Sequence, residues 1–138
     1  YLESIKQLIY ENDMEDKIIM TGHIDDVQNI IHVMDVVVHS SIDPEPFGLV
    51  ITEAMILGKP VIASNVGAPQ EIIEQGVDGF IVDPFASTKM ANTIIMLLGD
   101  EQKRNKIGDK ARINAREKFN IDRYVNALVK VYEPLLSK

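Results

Sequence analysis

The chain has 138 residues, of which 46% are hydrophobic and 25% are charged, a balance typical of one folded domain and not of a disordered segment. Its 14 basic and 21 acidic residues give a net charge of −7, which disfavours nucleic-acid binding. The absence of cysteine excludes disulfides and thiolate metal sites, and no apolar run approaches the roughly 20 residues of a membrane span. Because the chain begins at Tyr1, we expect it to be part of a longer protein.

The first predicted element is a helix, because apolar residues recur at helical spacing through the first dozen residues. Short apolar runs predict four strands, at residues 17–21, 35–39, 60–64 and 79–83. Within each run the apolar residues are consecutive, which is typical of strands covered on both faces in a parallel sheet. Helical patterns separate the runs, at residues 27–34, 48–57 and 68–74. This alternation predicts an α/β, Rossmann-like fold with a parallel sheet and flanking helices.

The sequence after Pro84 is helical throughout. It predicts three helices, at about residues 87–98, 101–119 and 121–136, and Asp100 is the expected N-cap of the second. The last helix carries an apolar stripe that we expect to pack against another surface, formed by Val125, Leu128, Val129, Tyr132 and Leu136. No repeat or linker divides the chain, so residues 1–138 are predicted to form one domain.

The loop after the second predicted strand is the most unusual segment. In an open parallel sheet, ligands bind outside the carboxyl ends of the strands. Here Pro44 and Pro46 stiffen the backbone around Glu45, and Gly48 leads directly into a helix. The N-terminus of a helix favours an anion by about 0.3–1 kcal/mol at the surface and up to about 2 kcal/mol when partly buried. The loop is therefore a candidate phosphate site.

Two carboxylates flank this candidate site, Glu45 before the helix and Glu53 inside it, eight residues apart. Both would repel a phosphate, so we expect them to point past it to opposite sides and to accept hydrogen bonds from hydroxyl groups, each worth about 1.5–3 kcal/mol. Hydroxyl, phosphate and hydroxyl in line describe a nucleotide sugar. Taken alone, each carboxylate is more often a solvated side chain. His23 and His39 lie at the ends of predicted strands and are candidates for lining this pocket.

Two sequence segments carry a family resemblance. Residues 45–55 read EPFGLVITEAM and residues 58–64 read GKPVIAS. They resemble the E-x7-E signature of the retaining glycosyltransferases of family four, the glycosyl transferases group one. Further matches cover nearly the whole chain, at residues 22–23, 35–41, 67–73 and 76–82. The resemblance implies a GT-B-type enzyme with two Rossmann-like domains and a cleft between them, in which this chain is most of the C-terminal, donor-binding domain.

The resemblance also implies residue roles. Glu45 would be the catalytic residue that binds hydroxyls of the transferred sugar, and Glu53 would bind the ribose hydroxyls. Backbone amides would contact the sugar and the diphosphate at Phe47, Gly48, Leu49 and Val50. The base would lie against Gly22, His23 and Ile24, and Ser41 would line the donor pocket.

Two departures from the family pattern are Ser40, where Pro is usual, and Ala68, where Gly is frequent. Neither removes a side chain that the implied mechanism uses. The Arg and Lys residues that neutralise the diphosphate would precede Tyr1, as would the N-terminal domain that binds the acceptor, which is a glycan, a lipid or a small molecule. The isolated chain is therefore expected to be inactive.

Absent motifs narrow the chemistry. No D-x-D triplet occurs, which disfavours a metal-held diphosphate, and neither G-x-G-x-x-G nor a P-loop is present. The sequence thus predicts no metal and no cofactor, with a nucleotide-diphosphate sugar as substrate. The alternatives are a related nucleotide-sugar epimerase, which would need acid and base groups that the chain does not obviously supply, and a non-catalytic nucleotide-binding module. We expect a cytoplasmic protein, peripheral to a membrane only through its missing part.

Overall fold

The computed structural model describes residues 1–136, which contain seven helices and three strands. The helices are α1 (Leu2–Glu11), α2 (Val27–Val33), α3 (Leu49–Ile56), α4 (Pro69–Ile72), α5 (Ser87–Gly99), α6 (Glu101–Lys118) and α7 (Ile121–Leu136). The strands are β1 (Val37–His39), β2 (Val61–Ser64) and β3 (Phe80–Val82). They form one parallel sheet in the order β1-β2-β3. The predicted α/β, Rossmann-like class is confirmed.

The core lies on both faces of the central strand. All four residues of β2 are buried, and β2 pairs with β1 on one side and β3 on the other. Val61 and Ala63 face a cluster built with α3 and α6, whereas Ile62 faces a second cluster that includes Leu97 of α5. Alternate residues of β2 point to opposite faces, so a continuous apolar run was the correct sign of two-sided burial.

Helix α6 crosses the end of α3 at very close range. Gly58 ends the turn after α3 with a φ of +75°, and a Cβ on Gly108 of α6 would collide with the carbonyl oxygen of Gly58. Glycine at position 108 therefore lets the two backbones pack without an intervening side chain. Asp100 accepts a hydrogen bond from the amide of Lys103 at 2.9 Å, which confirms it as the N-cap of α6.

The strand predicted at residues 17–21 is wrong. These residues form no ladder with any described strand, and Ile19 is 86% exposed. A strand is stabilised by a neighbour that takes its backbone hydrogen bonds, and among residues 1–136 the free edge of β1 has no partner. Two-sided burial is also wrong for β1, where Val38 is 40% exposed. The apolar pattern predicts that a segment is buried, but it does not identify the strand or helix that would cover it.

The expected packing of the α7 stripe is likewise absent within the described chain. Helix α7 has the predicted bounds, but none of its described residues is buried, and α1 also has no buried residue. Both helices are strongly amphipathic by sequence, and no element among residues 1–136 buries their apolar faces. None of the helices described over these residues is long and apolar enough to cross a membrane.

Candidate functional site

The side chain of Glu45 hydrogen-bonds to the backbone of its own loop, which joins β1 to α3. Its Oε1 accepts hydrogen bonds from the backbone amide of Gly48 at 2.9 Å and from that of Phe47 at 3.3 Å. Gly48 is the N-cap of α3 and has a φ of +80°, a conformation that favours glycine. The hydrogen bonds from Gly48 and Phe47, and then the nearby His39, lower the pKa of Glu45 below its ordinary value of 4.5. Glu45 is therefore an ionised carboxylate.

The backbone of Glu45 is held by the loop that follows β2. Glu45 and Gly67 form a parallel bridge, in which the Ala68 amide donates to the Glu45 carbonyl at 2.8 Å and the Glu45 amide donates to Val66 at 3.3 Å. A Cβ on Gly67 would lie 2.5 Å from the carbonyl oxygen of Glu45, and Gly67 has a φ of +82°. Position 67 therefore requires glycine, and the two strand-end loops behave as one unit.

His39, the last residue of β1, contacts the other oxygen of Glu45. Its Nε2 lies 3.4 Å from Oε2, and the two side chains are only 18% and 28% exposed. The Nδ1 atom of His39 is buried and has no hydrogen-bond partner among the described residues. Sequence reasoning placed His39 in the pocket but missed its pairing with Glu45, because their separation of six residues is bridged by a loop whose course no periodicity reveals.

The first turn of α3 has free donors. Its first intrahelical hydrogen bond runs from the Thr52 amide to the Gly48 carbonyl at 3.0 Å. The amides of Leu49 and Val50 precede that bond and have no acceptor among residues 1–136, and both residues are exposed. Two of the four residues whose amides were predicted to meet a ligand thus have amides without an acceptor in the described part of the chain.

The orientation expected for Glu45 is wrong in this structure. Its carboxylate does not point past the helix N-terminus but turns back onto it and occupies the amides of Phe47 and Gly48. The physical reason is proximity, because these amides lie two and three residues along the same rigid loop and an ionised carboxylate is a strong acceptor. The predicted anion site is therefore half occupied by the protein's own carboxylate.

Glu53 has a different environment. It lies one helical turn after Leu49, is half-buried, and its carboxylate has no hydrogen bond or ion pair with any of residues 1–136. In a helix, residues four apart share a face, and side chains lean towards the N-terminus. Glu53 and the free amide of Leu49 therefore lie on one side of α3, as a residue available for an external hydroxyl should.

Within residues 1–136, Gly22, His23, Ile24 and Ser41 make no hydrogen bond or ion pair with Glu45. Gly22 has a φ of +65° and is exposed, and Ile24 is half-buried. The His23 side chain is 89% exposed and lies 3.2 Å from Asp25. Ser41 donates its hydroxyl to the carbonyl of Asp43 at 3.0 Å, which shapes the loop.

A cavity of about 500 Å³ lies beside the Glu45 loop. Its walls come from three segments, residues 44–47, residues 67–72, and Lys118 with Phe119 at the end of α6. Phe47 meets Phe119 edge to face with 6.2 Å between ring centroids. Lys118 donates to the carbonyl of Glu71 and is the basic side chain in this wall. Sequence reasoning missed Lys118 and Phe119, which lie more than 60 residues from the motif and carry no motif of their own.

No group of three His, Cys, Asp or Glu side chains within residues 1–136 is arranged to hold a metal ion. The chemistry that the loop offers is therefore that of its own donors and acceptors: an ionised carboxylate held from two sides, a second carboxylate without a partner, and open amides at a helix N-terminus.

A parallel sheet with helices on its flanks, and a carboxylate-bearing loop at its carboxyl edge, defines a Rossmann-like domain. The family model of the glycosyl transferases group 1 matches residues 1–114. The chain belongs to this family.

Two similar proteins support this assignment. N-acetyl-alpha-D-glucosaminyl L-malate synthase of Bacillus anthracis is 32% identical over 133 residues, which are 96% of this chain and 35% of that protein. The crystal structure of Anabaena Alr3699/HepE in complex with UDP superposes with a TM-score of 0.89 at 35% identity, and the match covers 100% of this chain and 37% of that one. The same protein in complex with UDP-glucose gives a TM-score of 0.87. The chain spans about a third of these proteins.

Proposed function

We propose that this chain is the donor-binding domain of a retaining, metal-independent glycosyltransferase that transfers a sugar from a nucleotide-diphosphate sugar to an acceptor. The observation that carries the proposal is the Glu45 loop, in which a fixed carboxylate adjoins the free amides of α3. Family membership and the similarity to a protein solved with UDP and with UDP-glucose support it. The acceptor, a glycan, lipid or small molecule, would bind outside this chain. Location in the cytoplasm, peripheral to a membrane through the rest of the polypeptide, remains a prediction.

Glu45 is proposed to bind the transferred sugar and to act as the catalytic residue. An ionised carboxylate has about four lone-pair sites, and the two amides and His39 occupy three of them at most. The remaining capacity is available to sugar hydroxyls. A carboxylate beside the reacting carbon also stabilises the positive charge that develops on a sugar ring during transfer.

The diphosphate is proposed to bind at the N-terminus of α3. The amides of Leu49 and Val50 have no acceptor among residues 1–136 and would contact the diphosphate. The amides of Phe47 and Gly48 already donate to Glu45 and would adjoin the sugar beside it. Amide dipoles aimed at the leaving diphosphate supply the stabilisation that a metal ion provides in other enzymes. Metal independence is proposed because the chain lacks a D-x-D triplet.

The nucleoside is proposed to bind on the far side of the diphosphate. Glu53 would accept hydrogen bonds from the ribose hydroxyls, because its carboxylate is unpaired and shares a helix face with Leu49. Gly22, His23 and Ile24 would contact the base, and Ser41 would line the pocket. These three residues and Ser41 are assigned from the family resemblance.

Substitution of Glu45 tests the proposal. In the full-length protein, Glu45→Gln should lower the rate of sugar transfer by about 100- to 1,000-fold, because a charged group at the reacting centre becomes neutral. The affinity for UDP, which has no hexose, should stay within a few-fold of the wild type. Asp43→Asn is the matched control, since Asp43 is an exposed carboxylate in the same loop. Equal losses of transfer and UDP affinity would overturn the assigned role.

Glu53→Gln supplies the complementary result. Loss of a charge-assisted hydrogen bond to ribose should weaken UDP binding by roughly tenfold, and isothermal titration calorimetry measures it directly. An epimerase would convert the donor sugar without an acceptor, and a binding module would convert nothing. Measuring nucleotide release from UDP-, GDP- and ADP-sugars with and without acceptors separates these outcomes.

A further inference from the structure

The two oxygens of the Glu45 carboxylate are held by different groups. Oε1 accepts the amides of Gly48 and Phe47, at 2.9 and 3.3 Å, whereas Oε2 lies 3.4 Å from Nε2 of His39. The two amides fix the position of Oε1 but not that of Oε2, so the plane of the carboxylate can still turn. The contact between His39 and Oε2 limits this rotation.

The surroundings of His39 determine which of its nitrogens carries the proton. Nδ1 is buried without a hydrogen-bond partner among residues 1–136, and Nε2 faces the carboxylate. A proton on Nδ1 alone would bury an unpaired donor and would turn a lone pair towards an anion, and both are unfavourable. Of the two singly protonated forms of the ring, the one with its proton on Nε2 therefore fits this position, with Nε2–H facing Oε2.

The His39 ring is itself firmly placed. His39 ends β1, where its backbone pairs in register with Ala63 of β2, and its side chain is 18% exposed. The Glu45 backbone is tied to Gly67 in the loop after the same strand. Donor and acceptor thus both rest on β2 and its following loop, so the sheet sets their separation.

We infer that His39 is a positioning residue for sugar transfer, which orients the Glu45 carboxylate through Oε2 before the donor sugar arrives. The inference rests on the proposed function of Glu45. The separation of 3.4 Å is long for a hydrogen bond, and such contacts often tighten when the substrate is bound. His39 does not touch the sugar in this scheme, so its loss should act through Glu45 alone.

The test compares three variants in the full-length protein. His39→Leu removes the donor and keeps an apolar side chain, His39→Asn is too short, and His39→Gln places an amide NH2 near the position of Nε2. UDP-glucose is the first donor, followed by the GDP- and ADP-sugars if the wild type does not use it. Because a misplacement of about 1 Å can cost about 100-fold in rate, His39→Leu and His39→Asn should lower kcat by about this factor, and His39→Gln should restore most of it.

Two further readouts exclude a merely structural role. The Kd for UDP should be unchanged in all three variants, because UDP has no hexose for Glu45 to bind. The midpoint of thermal unfolding should not rank the three variants in the same order as kcat does. In the Glu45→Gln background, His39→Leu should cause little additional loss, because both changes remove the same interaction. The inference is overturned if His39→Gln is as slow as His39→Leu, if kcat and UDP affinity fall together, or if the double variant shows the full product of both losses.

The two proposals fail in distinguishable ways. If the wild type transfers sugar and Glu45→Gln is inactive while His39→Leu is normal, only the positioning role is wrong. If the full-length wild type transfers no sugar from any UDP-, GDP- or ADP-sugar, the proposed function falls and the role of His39 falls with it.

Discussion

Two loops predicted to line the same donor site have very different structures. Residues 40–48, after β1, are tied through Glu45 to Gly67 and to the first amides of α3. Residues 22–26, after the segment 17–21 that forms no strand, are mostly exposed, and the side chain of His23 hydrogen-bonds only to Asp25 within the described chain. The difference lies in the preceding strand, since β1 has a neighbour and residues 17–21 have none within the described chain. A strand-end loop becomes a preorganised site when an adjacent strand supplies a second loop to hold it.

The sharpest way to break this comparison is a matched pair of glycine substitutions. Gly67→Ala places a Cβ 2.5 Å from the Glu45 carbonyl at a φ of +82°, and should lower the free energy of unfolding by about 3 kcal/mol. Gly22→Ala has a similar φ of +65° but nothing within 4 Å, and should cost only about 1 kcal/mol. Urea denaturation of the full-length protein measures both. Equal losses would show that the Glu45 loop is no better packed than the loop at Gly22.

The contact between Phe47 and Phe119 gives a smaller effect. The edge-to-face pair joins the Glu45 loop to the end of α6, and such pairs contribute about 0.5–1.5 kcal/mol beyond their buried area. A double-mutant cycle with Phe47→Leu and Phe119→Leu should return a coupling of this size. A coupling near zero would mean that α6 does not help to hold the loop. Ile121→Ala, at an exposed position in α7, is the control.

The pH dependence of stability tests whether Glu45 is held as an anion. Because the amides of Gly48 and Phe47, and then His39, lower its pKa in the folded state, Glu45 contributes stability above its unfolded value of 4.5. That contribution is lost as the pH falls through the lowered folded-state pKa. The difference in unfolding free energy between the wild type and Glu45→Gln should therefore be constant near neutral pH and shrink in acid. A difference that stays constant as the pH falls well below 4.5 would contradict the amide contacts.

The smallest effect is expected at His23. Its side chain is 89% exposed, and an exposed ion pair contributes about 0–1 kcal/mol, so His23→Ala should leave the unfolding free energy nearly unchanged. A large loss of stability would mean that the loop is more ordered than it is here. If the proposed contact with the base is correct, the same variant should weaken UDP binding, which calorimetry detects separately from stability.

Much of the fold was predictable from sequence. Three of the four strands, all seven helices and the N-cap at Asp100 were placed within about two residues, because hydrophobic periodicity and capping residues are local signals. The strand predicted at residues 17–21 was wrong. An apolar run indicates that a segment is suited to burial, but it does not identify the neighbouring strand that would cover it. The packing expected for the apolar stripe of α7 failed for the same reason, since none of its described residues is buried.

The candidate site was also predictable only in part. The sequence by itself determined that a carboxylate, a glycine and a helix N-terminus follow one another after a buried strand, because these neighbours are joined covalently and by helix periodicity. Only the tertiary structure decided that Glu45 turns back onto its own amides, that His39 meets its second oxygen, and that Lys118 and Phe119 wall the adjoining cavity. These contacts depend on how separate strands and helices pack, and side-chain direction within a loop is set by the nearest available donors rather than by sequence spacing.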